Sequence, residues 1–338
     1  MKIDIFYDVT LRDGSHANGH SFTKDFCLKY ITQAYKSGIR YIELGHGNGI
    51  GGSSLHIGEL LEKDLFNIIE KAKLEFPDLK FGVHVIPGLA KFDSVKSAVD
   101  QGVSILRVAS HCSEADTTET FIEYGANLGC EVWGLLMMSH MIKPDHLARE
   151  AEKMELYGAS RIVFLDSAGA LTPKKVKEIT NEIISLINIP LGFHAHNNLH
   201  AAVANSLAAI NQGCTSIDFA SRGYGAGAGN LSSEAFISIL EKDGYKSNLK
   251  LNDLIKLSSL IESEFEKTLP NVDSLSVATG FKGLFSGFKK RIIEASHTFN
   301  VDTVELIEKL GDLQVIAGQE DQIIETASEL NNNKNKIL

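Results

Sequence analysis

Cysteine is scarce in this 338-residue chain, and the four present, Cys27, Cys112, Cys130 and Cys214, are scattered with no CxxC pair. That spacing excludes a small disulfide scaffold and a Cys-rich zinc cluster, and it fits buried thiols of a reduced, cytoplasmic protein. Long apolar runs are missing as well. The longest uncharged apolar stretch, Val132 to Ile142, falls well short of the roughly 20 residues a bilayer helix needs. The start, MKIDIFYDVT, has no cationic segment followed by an apolar one, so no secretion signal and no membrane association are expected. Positive charge is in deficit: 33 Lys and Arg against 43 Asp and Glu give a formal charge of -10. Nucleic acid is thereby disfavoured, because its binding needs clustered cations to displace counterions. No Gly-Lys pair occurs, which removes a P-loop, and a dinucleotide fingerprint starting at Gly225 would need glycine where Asn230 stands.

What is present is ordinary globular composition, 43% apolar and 22% charged, arranged as short apolar runs that alternate with helical periodicity. The strand candidates are 3–10, 41–47, 80–88, 105–111, 131–140, 161–169, 190–198 and 216–225. Helix signals fill the gaps, such as Thr172-Pro173 ahead of Val176, Ile179, Ile183 and Ile187, and Gly38, Gly158 and Gly213 at C-terminal caps. Eight strands alternating with helices predict an α/β fold, a (β/α)8 TIM barrel over 1–257. A helical C-terminal domain follows over 258–338. After Ser232 the pattern reads as helices at 233–242, 251–267, 285–298, 302–309 and 319–330.

Polar residues gather where those strands end: Asp8 to Asp13, His46, His111, His140, Asp166-Ser167, His194 and His196, and Ser221-Arg222. Barrel active sites lie on that face. His194 and His196 are two apart in a strand, so both imidazoles point the same way and reach one ion together with Asp13. One carboxylate and two imidazoles suit Mn, Mg, Co or Zn with positions left open for substrate. Arg12 beside that carboxylate suits a substrate carboxylate or a developing enolate oxygen. His16 is a candidate general base, with His20 a competitor. Asn230, closing the glycine-rich loop GYGAGAGN, is a candidate extra ligand to metal or water, and GHGNGIGGSS at Gly45 to Ser54 reads as a second active-site loop.

With DVTLRDGSH, GHGNGIGGSS, LRVASHCSEAD, LLMMSHMI, FLDSAGA, GFHAHNNL, GYGAGAGN and GQEDQIIETASEL in this order, the chain resembles the 4-hydroxy-2-oxovalerate aldolase family. These are pyruvate aldolases among the metal-dependent lyase barrels that include 3-hydroxy-3-methylglutaryl-CoA lyase. The resemblance implies Asp13, His194 and His196 as metal ligands, with Mn expected, Arg12 as enolate stabiliser and His16 as base. Arg12, Ser167, His194 and Phe285 would surround the substrate. It implies retro-aldol cleavage of a 4-hydroxy-2-oxo acid to pyruvate and an aldehyde, in aromatic hydrocarbon catabolism. An oligomer is expected, whose C-terminal communication-type domain docks an acylating acetaldehyde dehydrogenase. One departure stands out: the family's tyrosine before that region is Phe285 here. The residues leave two alternatives open. One is a Claisen-type condensing enzyme or acyl-CoA lyase, for which no CoA site is visible; the other is a non-catalytic scaffold subunit, against which the intact Arg12, Asp13, His16, His194 and His196 speak.

Overall fold

The computed structural model of the chain describes residues 3–54 and 58–337. Among these, eight parallel strands close into a barrel in chain order: β1 (Ile5–Asp8), β2 (Tyr41–Glu43), β3 (Lys80–Val85), β4 (Ile105–His111), β5 (Glu131–Met137), β6 (Arg161–Asp166), β7 (Leu191–Ala195) and β8 (Ser216–Phe219). Closure sets Ile5 opposite Ser216 and Asp8 opposite Phe219. The helices α1 (Lys24–Lys36), α2 (Glu62–Glu75), α3 (Phe92–Asp100), α4 (Glu119–Asn127), α5 (Pro144–Leu156), α6 (Pro173–Leu186), α7 (Ala202–Gln212) and α8 (Ser233–Lys242) follow the strands in turn. Local chemistry sets their ends. The Thr172 side chain accepts from Lys175 N ahead of Pro173, Ser232 does the same for Ala235 N, and the chain leaves α7 through Gly213 at φ 120°.

Most strands stop earlier than their apolar patterns do. The Asp8 carboxylate accepts from Thr10 N at 2.9 Å and the Asp166 carboxylate from Ala170 N at 2.8 Å, so side chains take over the hydrogen bonding and peel the chain from the sheet. What continues beyond each end is the loop that carries the polar residues.

Alternation divides the strand side chains between two cores. Ile42, Phe81, Leu106, Leu136, Phe164 and Ile217 face the helices, while Ile5, Tyr7, Ile105, Trp133, Leu135 and Val163 fill the lumen. The lumen is mostly apolar along β5 and β6, with Arg161 at the start of β6 lying over Trp133, and it carries Glu43, Arg107 and Asp218 from β2, β4 and β8, all buried.

Beyond the barrel lie α9 (Leu251–Phe265), α10 (Ser274–Phe281), α11 (Lys289–Phe299), α12 (Thr303–Asp312) and α13 (Asp321–Ile337). α9 runs across the position between 257 and 258, and its Leu254, Leu257 and Ile261 belong to the barrel's outer core. The sequence pattern gave no sign of α10, whose residues SLSVATGF are small and weakly periodic. Asp273 starts it by accepting from Ser276 N. α11 to α13 enclose a core of their own around Phe288, Ile292, Leu306, Leu310 and Ile323. A short seam holds this unit to the barrel: Ser286 N donates to Ser167 O at 3.0 Å, and Ser286 Oγ donates to Asn198 Oδ1 at 2.9 Å. Among the described residues no helix is long and apolar enough to cross a membrane.

Candidate metal centre

Asp13 opens a 3-10 turn, Asp13–His16, just past β1; His194 lies on β7 and His196 one step beyond its end. Ligand atoms of the three approach within 4.8 Å of one another, and all three residues are buried. His194 Nδ1 faces Asp218 Oδ2 at 3.0 Å, so its proton sits there and Nε2 keeps a lone pair. That Nε2 lies 3.4 Å from His196 Nε2. Two nitrogens bound to one ion at about 2.1 Å in a roughly tetrahedral arrangement sit about that far apart. Burial pushes His196 down to about 4 against the pull of Asp13, so its ring is a neutral donor near pH 7. Burial alone would raise the Asp13 carboxyl, but the Arg12 guanidinium and then the His196 ring hold it well below the usual carboxylate range. The donor set therefore fits a divalent cation.

Asp13 is fixed from two sides. Arg12 NH1 donates to its Oδ1 at 2.8 Å, while Asn230 Nδ2 and Ala226 N donate to its Oδ2 at 2.8 and 3.1 Å. A side chain at Gly225 would put its Cβ 2.1 Å from Asn230 Nδ2 and 2.6 Å from Asp13 Oδ2. The glycine-rich loop is thus needed for close approach. Asn230 Oδ1 is buried without a partner, as is His196 Nδ1; the asparagine amide here holds the carboxylate.

Three charged residues of the site, Glu43, Arg107 and Asp218, escaped the sequence reading, as did the neighbouring His84. Arg12 Nε donates to Glu43 Oε2 at 2.8 Å, Arg107 NH1 donates to the same oxygen at 3.3 Å, and Arg107 NH2 donates to Asp218. His84 Nδ1 faces Glu43 Oε1 at 3.6 Å. Burial would raise the Glu43 carboxyl, yet Arg107 and Arg12 keep it well below its ordinary value. The visible signal was a lone charge inside an apolar strand, in IEL, LRVA and IDF. Such a residue in a barrel has only the lumen to enter.

His16, at the far end of the 3-10 turn, lies against Gly47, where an added Cβ would come within 2.5 Å of its Nε2. Burial lowers His16 to about 4. His20 meets it edge-on at 5.2 Å and stacks on His46 at 3.8 Å, so the competitor base belongs to a stack of imidazoles at the rim. Ser167 Oγ accepts from Met138 N at 3.0 Å and lines a cavity of about 230 Å³ together with Ile86, His111, Met137, Phe285 and Ile316. Arg222 pairs with Glu262 at the exposed rim, and Asp8 is engaged by Thr10 and Tyr30. Neither joins the three candidate ligands.

His140 also lies away from the candidate ligands. Its Nε2 donates to Gly283 O at 2.9 Å, and Nδ1 is buried without a partner. Burial lowers its pKa to about 4, against about 6.5 in an unfolded chain. The folded protein then binds fewer protons than the unfolded one, so stability present above pH 6.5 is lost as pH falls toward 4. Denaturant unfolding at pH 7 and pH 5 is expected to show His140→Gln losing about 1–2 kcal/mol less than wild type; equal losses would contradict this.

The HMGL-like family model matches residues 3–261, and the DmpG-like communication domain model matches residues 270–332. The chain is 40% identical over 334 residues to a 4-hydroxy-2-oxovalerate aldolase of Pectobacterium atrosepticum, covering 98% of this chain and 96% of that one. Against the protein so described in Spirochaeta aurantia, identity is again 40%, over 98% of this chain and 97% of the relative. Among solved structures, the carboxyl transferase domain of Rhizobium etli pyruvate carboxylase aligns with a TM-score of 0.81 at 14% identity, covering 97% of this chain and 60% of that one. The HMG-CoA lyase of Bacillus subtilis aligns at 0.67 and 18%, covering 82% and 97%. At those identities the likeness to the two structures is one of fold.

Proposed function

We propose, for a chain that belongs to the 4-hydroxy-2-oxovalerate aldolase family, cleavage of a 4-hydroxy-2-oxo acid such as 4-hydroxy-2-oxopentanoate to pyruvate and an aldehyde. The observation that carries the reading is the convergence of Asp13, His194 and His196 beside the Arg12 guanidinium at the C-terminal mouth of the barrel.

Asp13, His194 and His196 would hold a divalent cation, Mn in our reading, which supplies Lewis acidity to the 2-oxo acid. Arg12 is held by Nε and NH1 to Glu43 and Asp13; neither bond uses NH2, which is left for the oxygen that gains charge as the C3–C4 bond breaks. His16, held neutral, takes the proton of the C4 hydroxyl. The electron pair of the broken bond becomes the enolate of pyruvate, and protonation at C3 completes the reaction. Ser167 and Phe285 share a cavity wall, and we assign them to the substrate's pyruvate end and aldehyde end respectively. We further propose that the unit from about 270 onward docks an acylating aldehyde dehydrogenase that consumes the product, and that the protein works in the cytoplasm.

Pyruvate release from separate C4 enantiomers of 4-hydroxy-2-oxopentanoate with added Mn tests this reading. No release from either enantiomer would defeat it. Phe285 keeps a ring in the cavity and lacks the family's hydroxyl, so one neutral hydrogen bond, worth about 0.5–1.5 kcal/mol, is missing. Both enantiomers are therefore expected to be cleaved at rates within about tenfold, and Phe285→Tyr to widen the ratio by roughly three- to tenfold. A strongly selective wild type whose ratio the tyrosine leaves unchanged would refute the assignment of Phe285.

A further inference from the structure

Arg107 is the most deeply buried arginine among the described residues, and none of the steps above uses it. It is wholly buried, and its guanidinium lies 4.4 Å from the centre of the Tyr7 ring and 5.5 Å from that of Trp133. A buried ion pair is a poor way to fill a lumen, since well-packed apolar residues of similar volume are usually at least as stable. β5 and β6 already fill their side with Trp133, Leu135, Val163 and Leu165. The arginine is better explained by what its two carboxylates touch.

Those carboxylates lead in opposite directions and meet again at the metal ligands. Through Glu43, Arg107 reaches Arg12, which reaches Asp13. Through Asp218 it reaches His194, whose Nε2 faces His196. The contacts run Asp13, Arg12, Glu43, Arg107, Asp218 and His194, and the two ends come together at the candidate metal position, so that a bound cation would close the circuit with Arg107 on its far side. We infer that Arg107 is a positioning residue for the lyase reaction, whose forked guanidinium fixes at once the ring orientation of a metal ligand and the orientation of the enolate-stabilising arginine. The inference rests on the metal-lyase reading above.

The fork is the essential property. Two parallel donors in a rigid plane can hold two carboxylates at a set separation, which a single ammonium on a flexible stem cannot. On the Asp218 arm, the carboxylate accepts the His194 Nδ1 proton and so leaves Nε2 bare for the cation, a relay whose loss typically costs 10- to 100-fold in metal affinity. On the Glu43 arm, one oxygen is shared by both guanidiniums, so the place of Arg12 depends on where Arg107 holds that oxygen.

The test uses the full-length protein and two readouts. Mn binding is measured by calorimetry on the metal-stripped protein, and exchange of pyruvate C3 protons into deuterated water is followed at saturating Mn. Arg107→Lys, which keeps the charge and loses the fork, is expected to weaken Mn binding by at least about tenfold and also to slow exchange at saturating Mn by at least about tenfold. A folded lysine variant with both quantities within threefold of wild type overturns the inference, and so does loss of only one. Should the lysine variant not fold, Asp218→Asn and Glu43→Gln read the arms separately. The first must weaken Mn binding while exchange at saturating Mn stays within threefold, and the second must slow exchange while Mn affinity holds. Any other pattern overturns the circuit. Wild type that binds Mn but exchanges no pyruvate protons would instead overturn the aldolase reading, and the binding arm would still decide the role of Arg107 toward the metal.

Discussion

Arg12→Ala is expected to lose both pyruvate C3 proton exchange and retro-aldol cleavage by about 10²–10³-fold at saturating Mn, the usual cost of deleting a donor aimed at developing oxyanion charge. The two reactions should fall together, because both pass through the same enolate. His16→Ala should separate them: exchange does not involve the C4 oxygen and is expected within about threefold of wild type, while cleavage falls by about 10²-fold with the base gone. Proton exchange followed by NMR, alongside pyruvate release, measures both. Cleavage within about threefold of wild type in both variants, a ΔΔG‡ of about 0.7 kcal/mol or less, would remove both residues from the chemistry. Arg12 also carries structural weight. Its loss leaves Asp13 and Glu43 each one partner short in a buried site, so the measurement belongs at saturating metal and on a variant shown to be folded.

Removing divalent metal is the second large effect. Asp13, Glu43 and Asp218 bring three buried carboxylates against the guanidiniums of Arg12 and Arg107, a set that stays net negative until a cation joins it. A strong chelator is expected to lower cleavage by at least about 10³-fold, with Mn restoring it. Metal at 100 times its dissociation constant adds about 2.7 kcal/mol of stability, so thermal unfolding should also drop by a few degrees on stripping. Full turnover without metal, or substrate trapped on a lysine by borohydride, would replace this chemistry with a Schiff base.

The alternation of strand and helix in the barrel was legible because its strands are compact apolar runs and its helices carry a 3.6-residue period. Where the strands stop was not. GFHAHNN keeps its alternation through Asn198, yet the sheet ends at Ala195 and His196 survives only as an isolated bridge to Asn230. Hydrophobic pattern reports which face a residue takes, whereas the end of a strand is decided by carboxylates such as Asp8 and Asp166 that capture loop N–H groups. Asp13, His194 and His196, whose donor atoms the structure gathers, were legible as a chemical set two residues apart along one chain segment and at the mouth of another strand. Glu43, Arg107 and Asp218 were not, since a single charge in an apolar strand names no partner until barrel closure brings β2, β4 and β8 around one space. α10 escaped for the opposite reason: its stretch has little period of any kind, and the start of the helix rests on Asp273.

The seam at Ser286 changes what the C-terminal helices are to the barrel. Ile316 and Ala317, between α12 and α13, and Phe285, just before α11, complete the wall of a cavity whose other side is Ile86, His111, Met137 and Ser167. A chain ending at 269 would keep Asp13, His194 and His196 and the whole circuit of charges, but the cavity would lose that wall and stand open to water. The boundary that divides two units along the chain therefore divides one chamber in space. Evolution of either unit is bound to the other by volume as well as by contact, and a helical unit borrowed from a relative would bring part of its own pocket with it.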